Sequence, residues 1–194
     1  MLVFIDKIKI YLSFVGIIYV WILPYLSKIG FAEKNATTIS GFIANPQATG
    51  AMASVSFLPI LLINEYQDLY IKENKDMLNK TLLFFEISYG IFLSFPVTYV
   101  SVEIHALSVI CFGLSYLIHS YFILYHIEFN KITKIILGIG SSCFVLLLAL
   151  NSNHIIYWFV ECICFTCMLL FTPIDYYLFL RNEKIKNKTS LLNI

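Results

Sequence analysis

The sequence predicts an all-α polytopic membrane protein: a bundle of six transmembrane helices with both termini cytosolic. Three observations lead there. First, 59% of the 194 residues are hydrophobic and 13% are charged, with a mean hydropathy of +0.81. Soluble domains carry about a quarter charged residues. Second, the apolar residues fall into six blocks, at 10–26, 48–66, 81–100, 104–125, 132–150 and 155–180. Each is near the ~20 residues that cross about 30 Å of hydrocarbon, and far longer than the ~10 alternating residues of a barrel strand. Third, charge is asymmetric. With the N-terminus inside, eleven of the 13 Lys and Arg residues are cytosolic, and only Lys28 and Lys34 face the other side. That bias orients a bundle.

The elements follow in order. Met1–Gly30 superficially resembles a secretory leader, with Lys7 and Lys9 before an apolar run. The run is long for such a leader and five more follow, so 10–26 is the first span. The longest exoplasmic loop comes next, at Ser27–Gln47, and it carries an Asn-x-Thr sequon at Asn35, the one sequon on that side. Asn35 is therefore the candidate glycosylation site. Pro59, Pro96 and Pro173 are expected to kink their spans, and Gly138, Gly140, Ser141 and Ser142 give the fifth a small-residue face for close approach. Trp21, Tyr25, Tyr157 and Trp158 lie near exoplasmic ends, where amphipathic rings favour the headgroup zone. Residues 1–180 form the transmembrane domain, and 181–194 a basic cytosolic tail. Every loop after the first is short, which places function in the bundle, the first loop or the tails.

Charged groups inside spans are costly, and so face the bundle interior or water. The sixth block carries Glu161 and Asp175, fourteen positions apart. At ~100° per residue they share one face, separated by about 21 Å along the axis. The fourth block carries His105 and His119 at the same spacing. Both blocks run from the exoplasmic side to the cytosol. Packed together, they set His105 against Glu161 in one layer and His119 against Asp175 in another, with Glu103 able to substitute or join. Such layers would respond to exoplasmic pH, because a neighbouring carboxylate favours the charged imidazole. The plainer reading lets each group snorkel toward an interface, and Asp175 and His126 suit it. Glu161 has apolar residues well past it on both sides and belongs inside.

Several chemistries are disfavoured. A zinc hydrolase needs three converging ligands, and His126 and His154 lie at opposite membrane faces. A serine nucleophile needs a base in reach; Ser108 is one turn from His105, and nothing else marks it. The cysteines at 111, 143, 162, 164 and 167 all lie within spans and read as small apolar residues rather than a disulfide framework or metal site. No basic patch with interleaved aromatics points to nucleic acid. No catalytic residue, metal or cofactor is expected, and the expected partners are membrane lipids and membrane or cytosolic proteins.

With the spans placed, three stretches resemble the DRAM-like family, which includes the damage-regulated autophagy modulators, a GPI-lipid remodelling factor and a regulator of phosphatidylinositol 4-kinase. LPYLSKIG resembles the family's Pro-Tyr-Ile-Ser-Asp-Thr-Gly motif, keeping Pro24, Tyr25, Ser27 and Gly30. It departs from the motif at Lys28 and Ile29, in place of Asp and Thr. EIHALSVICFGLSYL is similar in His105, Phe112 and Tyr116, and the final block in His154, Glu161, Thr172 and Asp175. The resemblance implies a non-enzymatic membrane regulator of autophagy, lysosomal or endomembrane lipid function, located in endomembrane, lysosome or plasma membrane. Two alternatives remain: a regulator of plasma-membrane lipid organisation through phosphoinositide kinase or GPI-lipid remodelling, and a proton-linked transporter using the His–carboxylate layers. The transporter lacks the paired interrupted helices of that class.

Overall fold

The computed structural model describes residues 2–56, 75–95, 101–126, 131–150, 156–171 and 174. Pro59, Pro96, His154, Thr172, Pro173, Asp175 and the 181–194 tail lie outside them. The described residues form helices and loops with no strand. They are α1 (Leu2–Lys28), a single-turn α2 (Ile39–Phe42), α3 (46–56), α4 (Lys75–Ser94), α5 (Val102–His126), α6 (Lys131–Ala149) and α7 (Ile156–Phe171). Three stretches are long and apolar enough to cross a membrane: Ile10–Lys28, Val102–Tyr125 and Lys131–Ala149. The described part of α7 is apolar but shorter. α4 begins in a polar turn, where exposed Asp76 and Lys80 pair at 2.6 Å.

Unlike a water-soluble bundle, the helices are apolar on the outside as well as in the core. Tyr11, Phe14, Ile18, Ile22 and Tyr25 of α1 are exposed, as are Ile132, Ile135, Ile139 and Val145 of α6. Ser13, Ser56, Thr81, Ser88, Ser115, His119, Ser120 and Thr133 are buried. An exposed apolar surface of this extent belongs against acyl chains.

α7 is the hub. Its Phe165 meets Phe92 of α4 and Phe112 of α5, and its Cys167 lies against Gly140 of α6. Toward α1, Thr166 accepts a 3.0 Å hydrogen bond from the Trp21 indole, and Leu169 packs on Gly16. The Tyr19 hydroxyl joins α1 to α3 by donating to the Ala48 carbonyl at 2.8 Å.

Pro24 sits inside α1. Having no N–H, it leaves the Val20 carbonyl without its helical partner. The Cys162 thiol of α7 donates to that carbonyl at 3.7 Å. Cys162, read from the sequence as simply apolar, thus stands in for the missing amide. Cys162→Ala is expected to cost up to about 1 kcal/mol more in the parent than in a Pro24→Ala background, where an amide again reaches Val20. Equal costs in the two backgrounds, measured by denaturant unfolding in detergent, would show that the thiol contributes only bulk.

α1 stops at Gly30. Its φ of 81° is a left-handed conformation open to glycine at little cost. Its N–H reaches the Ser27 carbonyl at 3.1 Å, and the Phe31 N–H reaches Leu26 at 2.9 Å, which together make a Schellman cap. The chain then folds back over the bundle. The Ser27 hydroxyl donates to the Glu33 carbonyl at 2.7 Å, and the Glu33 N–H to the Phe42 carbonyl at 2.9 Å. Ala32, Ile39, Phe42, Ile43 and Ala44 are buried, so the first loop is a packed plug over one end of the helices. α3 leaves it through an Asn-Pro start, with the Asn45 side chain accepting the Ala48 N–H at 2.8 Å and Pro46 opening the helix.

Candidate functional site

The plug, the starts of α5 and α7 and the end of α4 meet at one end of the bundle. Local sequence builds the plug's turn. The Thr38 hydroxyl accepts the Gly41 N–H at 2.9 Å, as an N-cap does. The Ile39 N–H remains, and it donates to Oε2 of Glu161 at 2.5 Å, across 122 residues of chain. Glu161 is 7% exposed, and Ile39 is fully buried. The inward position expected for Glu161 is what the structure has, but its partner is different. Among the described residues Glu161 is held by a backbone amide of the plug and not by His105.

His105 is also buried, at 7% exposure. Its Nδ1 lies 2.8 Å from the Phe95 carbonyl, at the end of α4. A carbonyl can only accept, so Nδ1 carries the proton and, in the neutral ring, Nε2 is left as an acceptor. That Nε2 is buried with no partner among the described residues. Ser108 donates to the His105 backbone carbonyl at 2.7 Å rather than engaging the ring, so the two do not form a nucleophile–base pair. Glu103 is exposed and does not join the layer.

The other layer also differs. His119 is 1% exposed, and its Nδ1 lies 2.9 Å from the Thr81 hydroxyl of α4. Asp175 falls outside the described residues. The two histidines are linked by a column of rings. His119 stacks on Phe85, Phe85 on Phe112, Phe112 on Phe92, and Phe92 tilts against His105, with centroids 5.2–6.3 Å apart. The space between the two layers is therefore filled by aromatic packing.

Two cavities adjoin the plug. The larger lies between α5, α6 and α7, with about 50 Å³ of room inside about 580 Å³ of atom-free space that includes its open mouth. Val109, Phe112, Phe144, Leu147, Phe165 and Met168 make its walls, and Glu161 and Ser40 mark its polar end. The smaller, of about 10 Å³ and fit for a single water, is lined by His105, Ser40, Thr49 and Phe92. Ser40 and Phe92 line both. His105 and Glu161 thus line neighbouring spaces, both of which Ser40 also lines, and do not pair in one layer. Among the described residues no three His, Cys, Asp or Glu side chains converge as a metal would require.

Of the first-loop motif, Pro24, Ser27 and Gly30 shape the path into the plug, while Tyr25 is exposed. Asn35 is exposed, with a φ of 60°. Sequence reasoning missed Ile39 and Ser40. The signal available was Thr38 ahead of Ile39 and Phe42, an N-cap residue before two apolar residues at the i, i+3 spacing of one helical turn. Family models, curated proteins and solved structures yield no match to this chain.

Proposed function

We propose that the chain is a six-span membrane protein with cytosolic termini, and that it acts without turnover as a lipid-binding regulator of the DRAM-like type in autophagy, lysosomal or endomembrane function. The carrying observation is the apolar slot between α5, α6 and α7, walled by Val109, Phe112, Phe144, Phe165 and Met168 and headed by a buried carboxylate. A concave apolar site with few convergent polar groups suits an acyl chain held by its head. The apolar outer faces of α4 and α7, with Leu83, Phe84, Ile87, Ile156 and Phe159 exposed, support counting both as spans. Exposed Asn35 supports an exoplasmic plug.

The test is purification in mild detergent followed by lipid extraction and mass spectrometry, beside a Val109→Phe variant that fills the slot. One lipid class enriched over the host membrane, and lost from the variant, is the expected result, with a glycan on Asn35 reporting topology. Bulk membrane composition in both proteins would remove the reading, as would a lipid-hydrolase or transferase turnover abolished by Glu161→Ala. Localisation of a tagged chain separates the endomembrane reading from the plasma-membrane phosphoinositide or GPI-lipid alternative.

The buried His105 Nε2, without a partner among the described residues and in a cavity adjoining the one that Glu161 lines, favours a second reading, a proton-linked transporter. The aromatic column between His105 and His119 works against it, because protons move along polar groups and water. Liposomes holding the protein are expected to show no pH-driven flux, and a flux lost in His105→Phe would reverse the order of the two readings.

A further inference from the structure

Resting on the lipid-binding reading, we infer that the slot takes a single-chain amino alcohol, with its primary ammonium on Glu161, a hydroxyl donated to His105 Nε2, and its hydrocarbon chain between α5, α6 and α7. Three observations select this chemistry. At the polar end the Ser40 hydroxyl can donate or accept, while Glu161 and His105 offer acceptors. Glu161 receives one backbone N–H, from Ile39, and its carboxylate also lines the slot. His105 has its Nδ1 committed to Phe95, which leaves Nε2 the ring's open position, without a partner among the described residues. The ligand must therefore supply donors to Glu161 and to His105.

Second, charge complementarity fixes the kind of donor. A buried carboxylate with one amide partner is best matched by a cation, since an uncompensated charge in a low-dielectric site is strongly unfavourable. Among the described residues no Lys or Arg lines either cavity. A headgroup bearing phosphate would bring a second anion beside Glu161 with no cation to receive it. A fatty acid would do the same. Third, Ser40 and Phe92 line both cavities, so the two spaces adjoin. A headgroup with ammonium and hydroxyl on adjacent carbons can address both, and the hydroxyl takes the place fit for one water. The apolar walls beyond accept one chain and leave the rest of it along the open mouth, against the bilayer.

The test uses the full-length protein in nanodiscs of phosphatidylcholine, with radiolabelled sphingosine as the ligand. Sphingosine is expected to bind saturably, and octadecylamine, which lacks the hydroxyls, about tenfold more weakly. Octadecane-1,2-diol, palmitate and sphingosine phosphate should compete at least a hundredfold more weakly, and so should free ethanolamine, which has the amine without the chain. Glu161→Gln keeps an acceptor for the Ile39 amide and removes the charge. It should unfold at the parent's temperature and bind sphingosine at least tenfold more weakly. His105→Phe should bring sphingosine down to the affinity of octadecylamine and leave octadecylamine unchanged. Undiminished binding to a folded Glu161→Gln protein, or competition by palmitate or the diol equal to that of sphingosine, overturns the inference. If another lipid co-purifies in the slot while sphingosine fails to bind, the amino-alcohol chemistry falls and the lipid-binding reading stands. If no lipid is held at all, both fall.

Discussion

Glu161→Ala is expected to loosen the plug and to destabilise the protein by about 2–3 kcal/mol, the range for losing a hydrogen bond to a charged group and leaving its buried partner unmet. The carboxylate is the acceptor for the Ile39 N–H, and both residues are buried. Once the acid is gone, the start of α2 has only Thr38 to satisfy it, and a bare amide faces apolar walls. The plug then pays a penalty to stay folded over the bundle that it does not pay in the parent. The damage should be local. Limited proteolysis is expected to cut within 31–45 much faster in the variant, while the helices keep their circular dichroism. Glu161→Gln retains a carbonyl oxygen for the same N–H and should stay within about 1 kcal/mol of the parent. Equal protease resistance in the alanine variant would show that the plug is held by Ile39, Phe42 and Ile43 packing alone.

Gly113→Ala should have the second large effect. A Cβ at Gly113 would lie 1.9 Å from the Phe144 ring edge, far inside contact distance. α5 and α6 approach here because one helix has no side chain and the other fills the gap with a ring. Overpacking of this kind costs about 1–3 kcal/mol. The ring can escape only by turning, and it forms one wall of the slot. The substitution is therefore expected to narrow the slot as well as weaken the bundle, lowering lipid retention at temperatures where the protein is still folded. Adding Phe144→Leu should recover part of both losses, because a smaller side chain leaves space for the methyl. No recovery in the double variant would show that the helix backbones, rather than the ring, absorb the strain. Gly138→Ala is the control: nothing lies within 4 Å of its would-be Cβ.

That contrast shows where sequence reading reached its limit. The small-residue face expected on α6 was Gly138, Gly140, Ser141 and Ser142. Gly140 is at a helix contact, against Cys167. Ser141 also meets α5, its hydroxyl 3.3 Å from that of Tyr121, whereas Gly138 and Ser142 are exposed and Ser142 returns its hydroxyl to its own helix at Gly138. The glycine in the tightest contact, Gly113, drew no attention, since a lone glycine in an apolar run has no local mark. Cys162 was likewise opaque. Its role depends on Pro24, which lies 138 positions away.

The inward turn of Glu161 was legible because the cost of a charge in hydrocarbon is a property of the residue and the length of its apolar run. For the same reason the helical class and the positions of the apolar blocks could be read directly: hydropathy, helix length and the price of an unpaired backbone group are all local quantities. Partnership is not local. Whether Glu161 met a histidine or an amide depended on how Ser27–Gln47 folded, and that segment was read as an exposed loop because its helix is a single turn with too few residues to show a period. Only the packed chain brought the Ile39 amide onto Glu161 and Ser40 to the spaces that His105 and Glu161 line, replacing an expected ion pair with two separate acceptors beside an apolar slot. Two helices carrying matched residues at matched spacing establish that a meeting is geometrically allowed; a third segment, competing for the same hydrogen bonds, decides whether it happens.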